Sequence, residues 1–292
     1  MNVLVVGGTG TVGTQVTRRL LEKGAKVRVM SRSADRSKLQ LPVETVHGDL
    51  EKPDTLGSQF TDVDGMFLLN ALSQTETAQG LAAVEAARKG GVKKIVYMSV
   101  LMPPGSETIP HFASKIPVEQ AVRESGTEWT ILRPNNFYQN DLGLRDAIVN
   151  YGVYSQPIGD RGVTRVDVRD IADAAVGVFF ESGHDGAIYP LNGPRAWSGE
   201  ETARTYTENL GHTVQYGGDD VEAWGRQASA FLPEWLVHDL KIMYRFFQER
   251  GFQATPEEIE MQRKLLGHDP RAFETFVWEV APLWRSAAVE GR

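Results

Sequence analysis

The sequence predicts an α/β fold built on a doubly wound parallel sheet, followed by a smaller, mostly helical C-terminal cap. Three observations carry this. Short β-rich apolar runs alternate with amphipathic segments through the first two thirds of the 292 residues. Those runs are apolar on both faces, as parallel strands covered by helices on both sides must be. The last hundred residues lose the alternation and carry aromatics at helical spacing instead.

Strands are expected at residues 2–6, 26–30, 43–47, 65–69, 94–98, 129–132 and 188–191, and helices at 12–23, 75–89, 116–124 and 171–180. In the third of these helices Ile116, Val118, Ala121 and Val122 gather on one side while Glu119, Gln120 and Arg123 face away, the pattern of a helix lying on a sheet. Near the end of the chain Phe273, Phe276, Val277 and Val280 follow the i, i+3, i+4, i+7 spacing of a helix with one buried face. Before them, Thr255 as N-cap, Pro256 at the first helical position and Gly267 as terminator bound another helix. Trp224, Trp235, Trp278 and Trp284 lie in this part, and most of its aromatics are expected to form the cap's own core. The division is therefore 1–190 for the doubly wound sheet domain, with a loop excursion near 138–163 toward the cap, and 191–292 for the cap.

Composition narrows the function classes. With 41% hydrophobic and 24% charged residues the chain reads as an ordinary globular protein. Its net charge of −7, with both signs interspersed, supplies no basic stripe for a phosphate backbone, so no nucleic-acid partner is expected. The absence of cysteine excludes disulfides, thiolate metal sites and a cysteine nucleophile. The six histidines stand too far apart for metal-ligand spacing, and no metal is expected. The first apolar run is broken by Gly7 and reads as a strand rather than a leader, and no run is long enough for a membrane span. A cytoplasmic location is expected, with monomer and homodimer both open.

The chemistry begins at "VLVVGGTGTVG", residues 3–13. Gly7, Gly10 and Gly13 are spaced three apart, directly after an apolar strand and directly before a helical pattern. That is the Rossmann-like turn: Gly7 for the tight bend, Gly10 for approach of the backbone to a pyrophosphate, Gly13 for close packing of helix on strand. The helix N-terminus then offers N–H groups and partial positive charge to phosphate. At the end of the second strand "VRVMSRS" places Ser31, Arg32 and Ser33 and no acid. An acid there would bind the 2'-hydroxyl of NAD(H), whereas an arginine suits the 2'-phosphate of NADP(H), which is therefore preferred, with NAD(H) still open. The alternative for Arg32 is a solvated surface side chain. In "HGDL", Asp49 is placed to accept from an adenine amino group with Leu50 against the ring; a turn or cap aspartate is the competing reading. Strand ends at Leu69, Asn70 and Ser99 should line the crevice at the carboxyl edge of the sheet.

Taken with "YMSV", "HFASK" and "LRPNNFYQN", these residues make the chain resemble an atypical short-chain dehydrogenase/reductase, most of all the NmrA-like branch, which includes isoflavone-reductase-like enzymes and quinone and dye reductases. The resemblance implies that Gly7, Thr9, Gly10, Thr11, Val12 and Gly13 hold the pyrophosphate. It further implies that Arg32 meets the 2'-phosphate, that Lys115 bonds the nicotinamide ribose, and that Pro134, Asn135 and Phe137 run beside the nicotinamide. Substrate would meet Leu101, Met102, Phe137 and Tyr138, and the catalytic candidates are Lys115, His111 and Ser99. One departure stands out. Where typical members carry Tyr-x-x-x-Lys, this chain has His111-Phe112-Ala113-Ser114-Lys115. Histidine can serve as an acid near neutrality; equally, a histidine after Pro110 at a helix start is unremarkable on a surface. A lone lysine at the next helix start fits the macrodipole poorly, so something polar or anionic should compensate Lys115, and a ribose would do so.

Two functions of different class follow. One is an NADPH-dependent reductase that passes hydride to a small conjugated or aromatic electrophile such as a quinone. The other is a non-catalytic NADP(H)-binding redox sensor. An isomerase that retains its cofactor is a third, weaker reading, since fold alone does not fix function.

Overall fold

The structure, a computed structural model, describes residues 1–32 and 40–290. Every strand expected from the sequence forms. β1 (Asn2–Val6), β2 (Lys26–Ser31), β3 (Glu44–His47), β4 (Gly65–Leu68), β5 (Lys94–Met98) and β6 (Glu128–Pro134) are joined by β8 (Ala187–Leu191), while the short β7 (Val153–Tyr154) lies outside their sheet. The sheet has seven strands in the order β3-β2-β1-β4-β5-β6-β8, and each neighbouring pair is parallel. From β1 the chain builds outward to β3, then returns to β4 and builds the other way. The order thus reverses between β1 and β4, and the crevice that a doubly wound sheet offers to ligands opens at the carboxyl ends there.

Strand alternation sends Val3 and Val5 into one core and Leu4 and Val6 into another. On the first face α1 (Thr11–Glu22) and α6 (Val168–Phe180) pack together over the sheet, burying Val16, Leu20, Ile171 and Ala175. On the second lie α2 (Glu76–Gly90) and α4 (Ile116–Arg123), burying Ala83, Ala87, Val118 and Val122. Helix α4 departs from the expected face. Ile116 is exposed, whereas Glu119 is buried, because three donors described below compensate its carboxylate. Apolar periodicity cannot anticipate a buried ion whose partners come from other elements.

The third core belongs to the cap. It is assembled from α3 (Pro110–Ala113), α5 (Arg145–Asn150), α7 (Gly199–Leu210), α8 (Val221–Ala228), α9 (Glu234–Arg250) and α11 (Phe273–Glu290). The face expected from Phe273, Phe276, Val277 and Val280 is buried, while Trp278 lies outside it at 69% exposure. α10 (Pro256–Leu266) has Thr255 and Glu258 in a capping box, Pro256 in the first turn and Gly267 as a left-handed terminator. It packs back on α6 and β8.

Segments before residue 191 also enter this core through Ile109, Tyr138 and Tyr154. β7 pairs in parallel with β9 (Gln215–Tyr216), a ladder of two residues too short to leave a period in the sequence. An ion pair between Arg165 and Asp141, 2.6 Å apart and fully buried, ties the middle of the chain to α7, whose Tyr206 hydroxyl donates to the same carboxylate at 2.9 Å. Burial pushes the Asp141 carboxyl up from its ordinary value, against the pull of Arg165.

Candidate functional site

At the switch point the glycine turn has the geometry its spacing predicts. Gly7 adopts φ +79° with its carbonyl accepting from Gly10 at 3.1 Å, and a Cβ on Gly7 would meet the Leu69 carbonyl oxygen at 2.3 Å. A Cβ on Gly13 would sit 2.1 Å from the Gly7 oxygen, so helix and strand approach too closely for any side chain. Gly10 is different: its nearest neighbour would be the Gly7 oxygen at 3.5 Å, an ordinary contact. Here the backbone borders open space.

Helix α1 begins at Thr11 with no side-chain cap and no acid in its first turn, unlike α6, α7, α8 and α10, whose first N–H groups are capped by Asp167, Ser198, Asp220 and Thr255. Its free N–H groups and dipole are therefore directed at the cleft. The residues present fit a dinucleotide phosphate.

A cleft of about 610 Å³ runs along the crevice and is lined by Gly7, Thr9, Gly10, Ser31, Arg32, Asp49, Leu50, Leu69 and Asn70. Nine residues expected to hold the coenzyme thus meet in one groove. Thr11 is exposed nearby, and Val12 and Gly13 are buried in the support beneath. Ser33 lies outside the described residues. Asp49 Oδ1 accepts the Glu51 N–H at 3.1 Å, so the turn-forming reading of this residue holds while it also faces the cleft.

Leu69, Asn70 and Leu72 line both this cleft and a second, more apolar cavity of about 400 Å³ between the strand ends and the cap. Buried Asn70 donates from Nδ2 to the Glu76 carbonyl at 2.8 Å, and its Oδ1 has no partner. An acceptor left unpaired at the junction of two cavities is what a ligand's N–H group would satisfy.

The second cavity gathers His111, Lys115, Ser99, Pro134, Asn135 and Phe137, all expected at the site, and faces Leu240, Met243, Tyr244 and Phe247 of α9 and Phe252 beyond it. Three residues expected to meet substrate are not among its walls. Leu101 is buried in the cap core, Met102 is half-buried, and Tyr138 packs 5.2 Å from Phe273 between ring centroids. The Tyr138 hydroxyl donates to the Arg271 carbonyl at 3.1 Å, and burial drives its ionisation well above the ordinary phenol range. Tyr138 therefore serves packing. The alternation that carries Phe137 into the cavity turns Tyr138 the other way.

The side chains around His111 and Lys115 are engaged in two pairs that sequence reading did not contain. Lys115 Nζ donates to Glu76 Oε1, and Ser114 Oγ donates to Glu76 Oε2 at 2.9 Å; all three are buried or half-buried. The compensation expected for this lysine is thus supplied within the protein by a carboxylate at the start of α2. His111 Nδ1 lies 2.5 Å from Asp239 Oδ1 of α9, with the two side chains 13% and 5% exposed. No sequence signal pointed to Glu76 or Asp239, which lie 39 and 128 positions from their partners.

Ser99 is also engaged. Its hydroxyl donates to Glu119 Oε1 at 2.7 Å, and Arg133 and Arg123 each reach Glu119 Oε2 at 2.7 Å. Burial pushes the Glu119 carboxyl up, but hydrogen bonds from Arg133 and Ser99 outweigh it, and the net shift is downward. Asn135 likewise turns its amide inward, donating at 3.0 Å to both Asn192 Oδ1 and the Phe252 carbonyl.

Among the described residues no helix is long and apolar enough to cross a membrane. Asp170, Asp173 and His268 are close enough to share a cation, but Arg271 already pairs with both carboxylates.

Comparison with known proteins agrees with this geometry. The chain is 33% identical over 279 residues to an NAD(P)H azoreductase of Xenophilus azovorans, covering 94% of this chain and 96% of that one. It is 27% identical over 221 residues to quinone oxidoreductase 2 of Escherichia coli, covering 73% and 76%. Among solved structures, the triphenylmethane reductase of Citrobacter sp. complexed with NADP(H) superposes with a TM-score of 0.83 at 25% identity, covering 96% of this chain and 99% of that one. A sequence model of the NmrA-like family matches residues 1–277. The chain belongs to the NmrA-like family.

Proposed function

We propose that this protein is an NADPH-dependent reductase that delivers hydride to a small conjugated or aromatic electrophile of the quinone or azo type. One observation carries the reading: the coenzyme-type cleft opens, through Leu69, Asn70 and Leu72, into an apolar cavity walled by cap aromatics and bordered by His111 and Lys115. The names of relatives that reduce azo compounds and quinones support the substrate class.

The glycine turn and α1 would hold the pyrophosphate, Arg32 the 2'-phosphate, and Lys115 with Asn70 the nicotinamide half. When bound, the coenzyme supplies hydride. The protein's share is orientation, exclusion of water by Phe137, Phe247 and Phe252, and a proton. An acceptor that delocalises the incoming charge needs only one well-placed acid, and His111 takes that role in place of a tyrosine. Glu76 pairs with Lys115 at the cavity wall, so the lysine is oriented before any ligand arrives.

The test is direct. Purified protein mixed with NADPH and a panel of quinones and azo dyes should oxidise many equivalents of coenzyme, followed by absorbance. Tight NADPH binding in calorimetry with no consumption across the panel would favour the sensor reading instead. No heat with either coenzyme form at millimolar concentration would remove both.

A further inference from the structure

We infer that Asp239 is a positioning residue for proton transfer: through His111 Nδ1 it fixes the imidazole ring and sustains its protonated form, so the acid is assembled where the cap helix α9 packs against α3. The inference rests on the reductase reading and deepens it by naming how the proton is supplied.

The geometry is specific. Asp239 is buried, and its carboxylate meets His111 Nδ1 at 2.5 Å. A carboxylate held against an imidazole nitrogen selects Nδ1–H as the donor and leaves Nε2 as the atom free to act. Nε2 has no hydrogen-bond partner among the described residues. The ring also meets Phe112 edge-on, with centroids 4.7 Å apart, which limits its rotation further.

His111 and Leu72 line two spaces at once: the 400 Å³ inner cavity and an outer one of about 630 Å³. On its α9 side the outer space is lined by Glu234, Trp235, His238 and Asp239, whereas the inner one is lined by Leu240, Met243, Tyr244 and Phe247 of the same helix. The ring thus stands at the boundary between the two spaces. The titratable and charged groups facing it are Glu234, His238, Asp239 and Tyr244 from α9, Glu76 from α2, and Lys115 from the turn after α3. Lys115 and Glu76 are paired with each other, and burial drives Tyr244 well above the usual phenol range, so it remains neutral. Asp239 is the carboxylate in direct contact with the imidazole.

The step balances simply. The acceptor takes two electrons as hydride from NADPH; the Nε2–H bond breaks, a new O–H or N–H bond forms on the reduced acceptor, and the imidazole is left neutral. Solvent returns the proton to the imidazole after the product has left. Asp239 keeps its charge throughout.

Asp239→Asn keeps size and a hydrogen-bonding oxygen but removes the charge. With the wild type turning over, the variant should lose about 10- to 100-fold in kcat with little change in KM for NADPH, as expected for a group that acts in the chemical step. The alkaline decline of its kcat profile should move to lower pH, because less charge sustains the imidazolium. Independently of turnover, the His111 ring signal in NMR titration of the coenzyme-free protein should shift its midpoint to lower pH in Asp239→Asn.

His111→Phe and the double variant should have equal kcat, since Asp239 has nothing left to position. Additive losses, an unmoved NMR midpoint or an unmoved alkaline limb would overturn the inference and leave Asp239 a packing residue. A wild type that never consumes coenzyme would instead sink the reductase reading, while the NMR titration still decides whether Asp239 sustains the charged imidazole.

Discussion

The glycine turn and the His111–Asp239 contact lie along the same crevice and are built by opposite means. The turn is made of backbone within seven consecutive residues, and its function is excluded volume: places where no Cβ fits and one place where nothing intrudes. The dyad is made of side chains 128 positions apart that meet where α9 packs against α3, and the role proposed for it is charge and direction. Damage to the first should be steric and nearly complete, and damage to the second graded and specific to one step.

The most severe prediction concerns the turn. Gly13→Val would place a branched side chain where a Cβ already lies 2.1 Å from the Gly7 oxygen, so thermal melts should show gross destabilisation and calorimetry no coenzyme binding. Gly10→Ala sharpens the contrast. Its Cβ meets nothing closer than 3.5 Å, so the fold should survive with an unchanged melt while coenzyme affinity falls, because the added methyl takes space the ligand uses. An unchanged affinity would show that the loop does not hold the pyrophosphate.

Next comes the acid itself. His111→Phe should lower kcat by roughly 10²- to 10⁴-fold, the usual range for a general acid, with coenzyme affinity retained in calorimetry. Glu76→Ala comes third: it strands the Lys115 ammonium, 11% exposed, without its partner, and should cost about 3–5 kcal/mol in urea denaturation. Arg32→Ala should weaken NADPH by about 10- to 100-fold, as loss of a charged hydrogen bond predicts, and leave NADH nearly unaffected. Equal losses for the two coenzymes would remove the 2'-phosphate role.

The smallest effect is expected at Ser99→Ala, about 1 kcal/mol of stability, with kcat lowered far less than by His111→Phe. The sign with pH follows from Glu119, whose carboxyl is lowered in the folded state. Its contribution is present above the unfolded carboxylate range and is lost as pH falls through the lowered folded value. Removing the Ser99 donor raises that folded value, so acid unfolding of the variant should begin at higher pH than in wild type. Coincident acid transitions would place Ser99 outside the Glu119 network.

How far the chain could be read before folding follows the same division. The seven sheet strands were legible because each is a short apolar run whose period needs no partner to be seen, and so was the glycine turn, whose meaning lies in its spacing. The buried face of α11 was legible for the same reason. Glu119 was misplaced on the solvent side because its burial depends on Arg133, Arg123 and Ser99, which no helical period includes. Tyr138 was assigned to substrate beside Phe137, yet a 3-10 helix begins at Tyr138, and the cap core took its ring while Phe137 lines the cavity. The need for a partner at Lys115 was visible in the helix start. That the partner is Glu76 was not, since nothing local marks it.

Linear order was enough to specify the sheet, the glycine turn and the position of a histidine where a tyrosine is usual, because each rests on covalent spacing and the short-range conformational preferences of its own residues. Which acid meets that histidine, which carboxylate holds the lysine and which aromatic rings close the cavity were decided only when α2, α9 and the strand ends came together. Coulomb attraction and burial act through space between groups whose separation along the chain carries no trace of their contact.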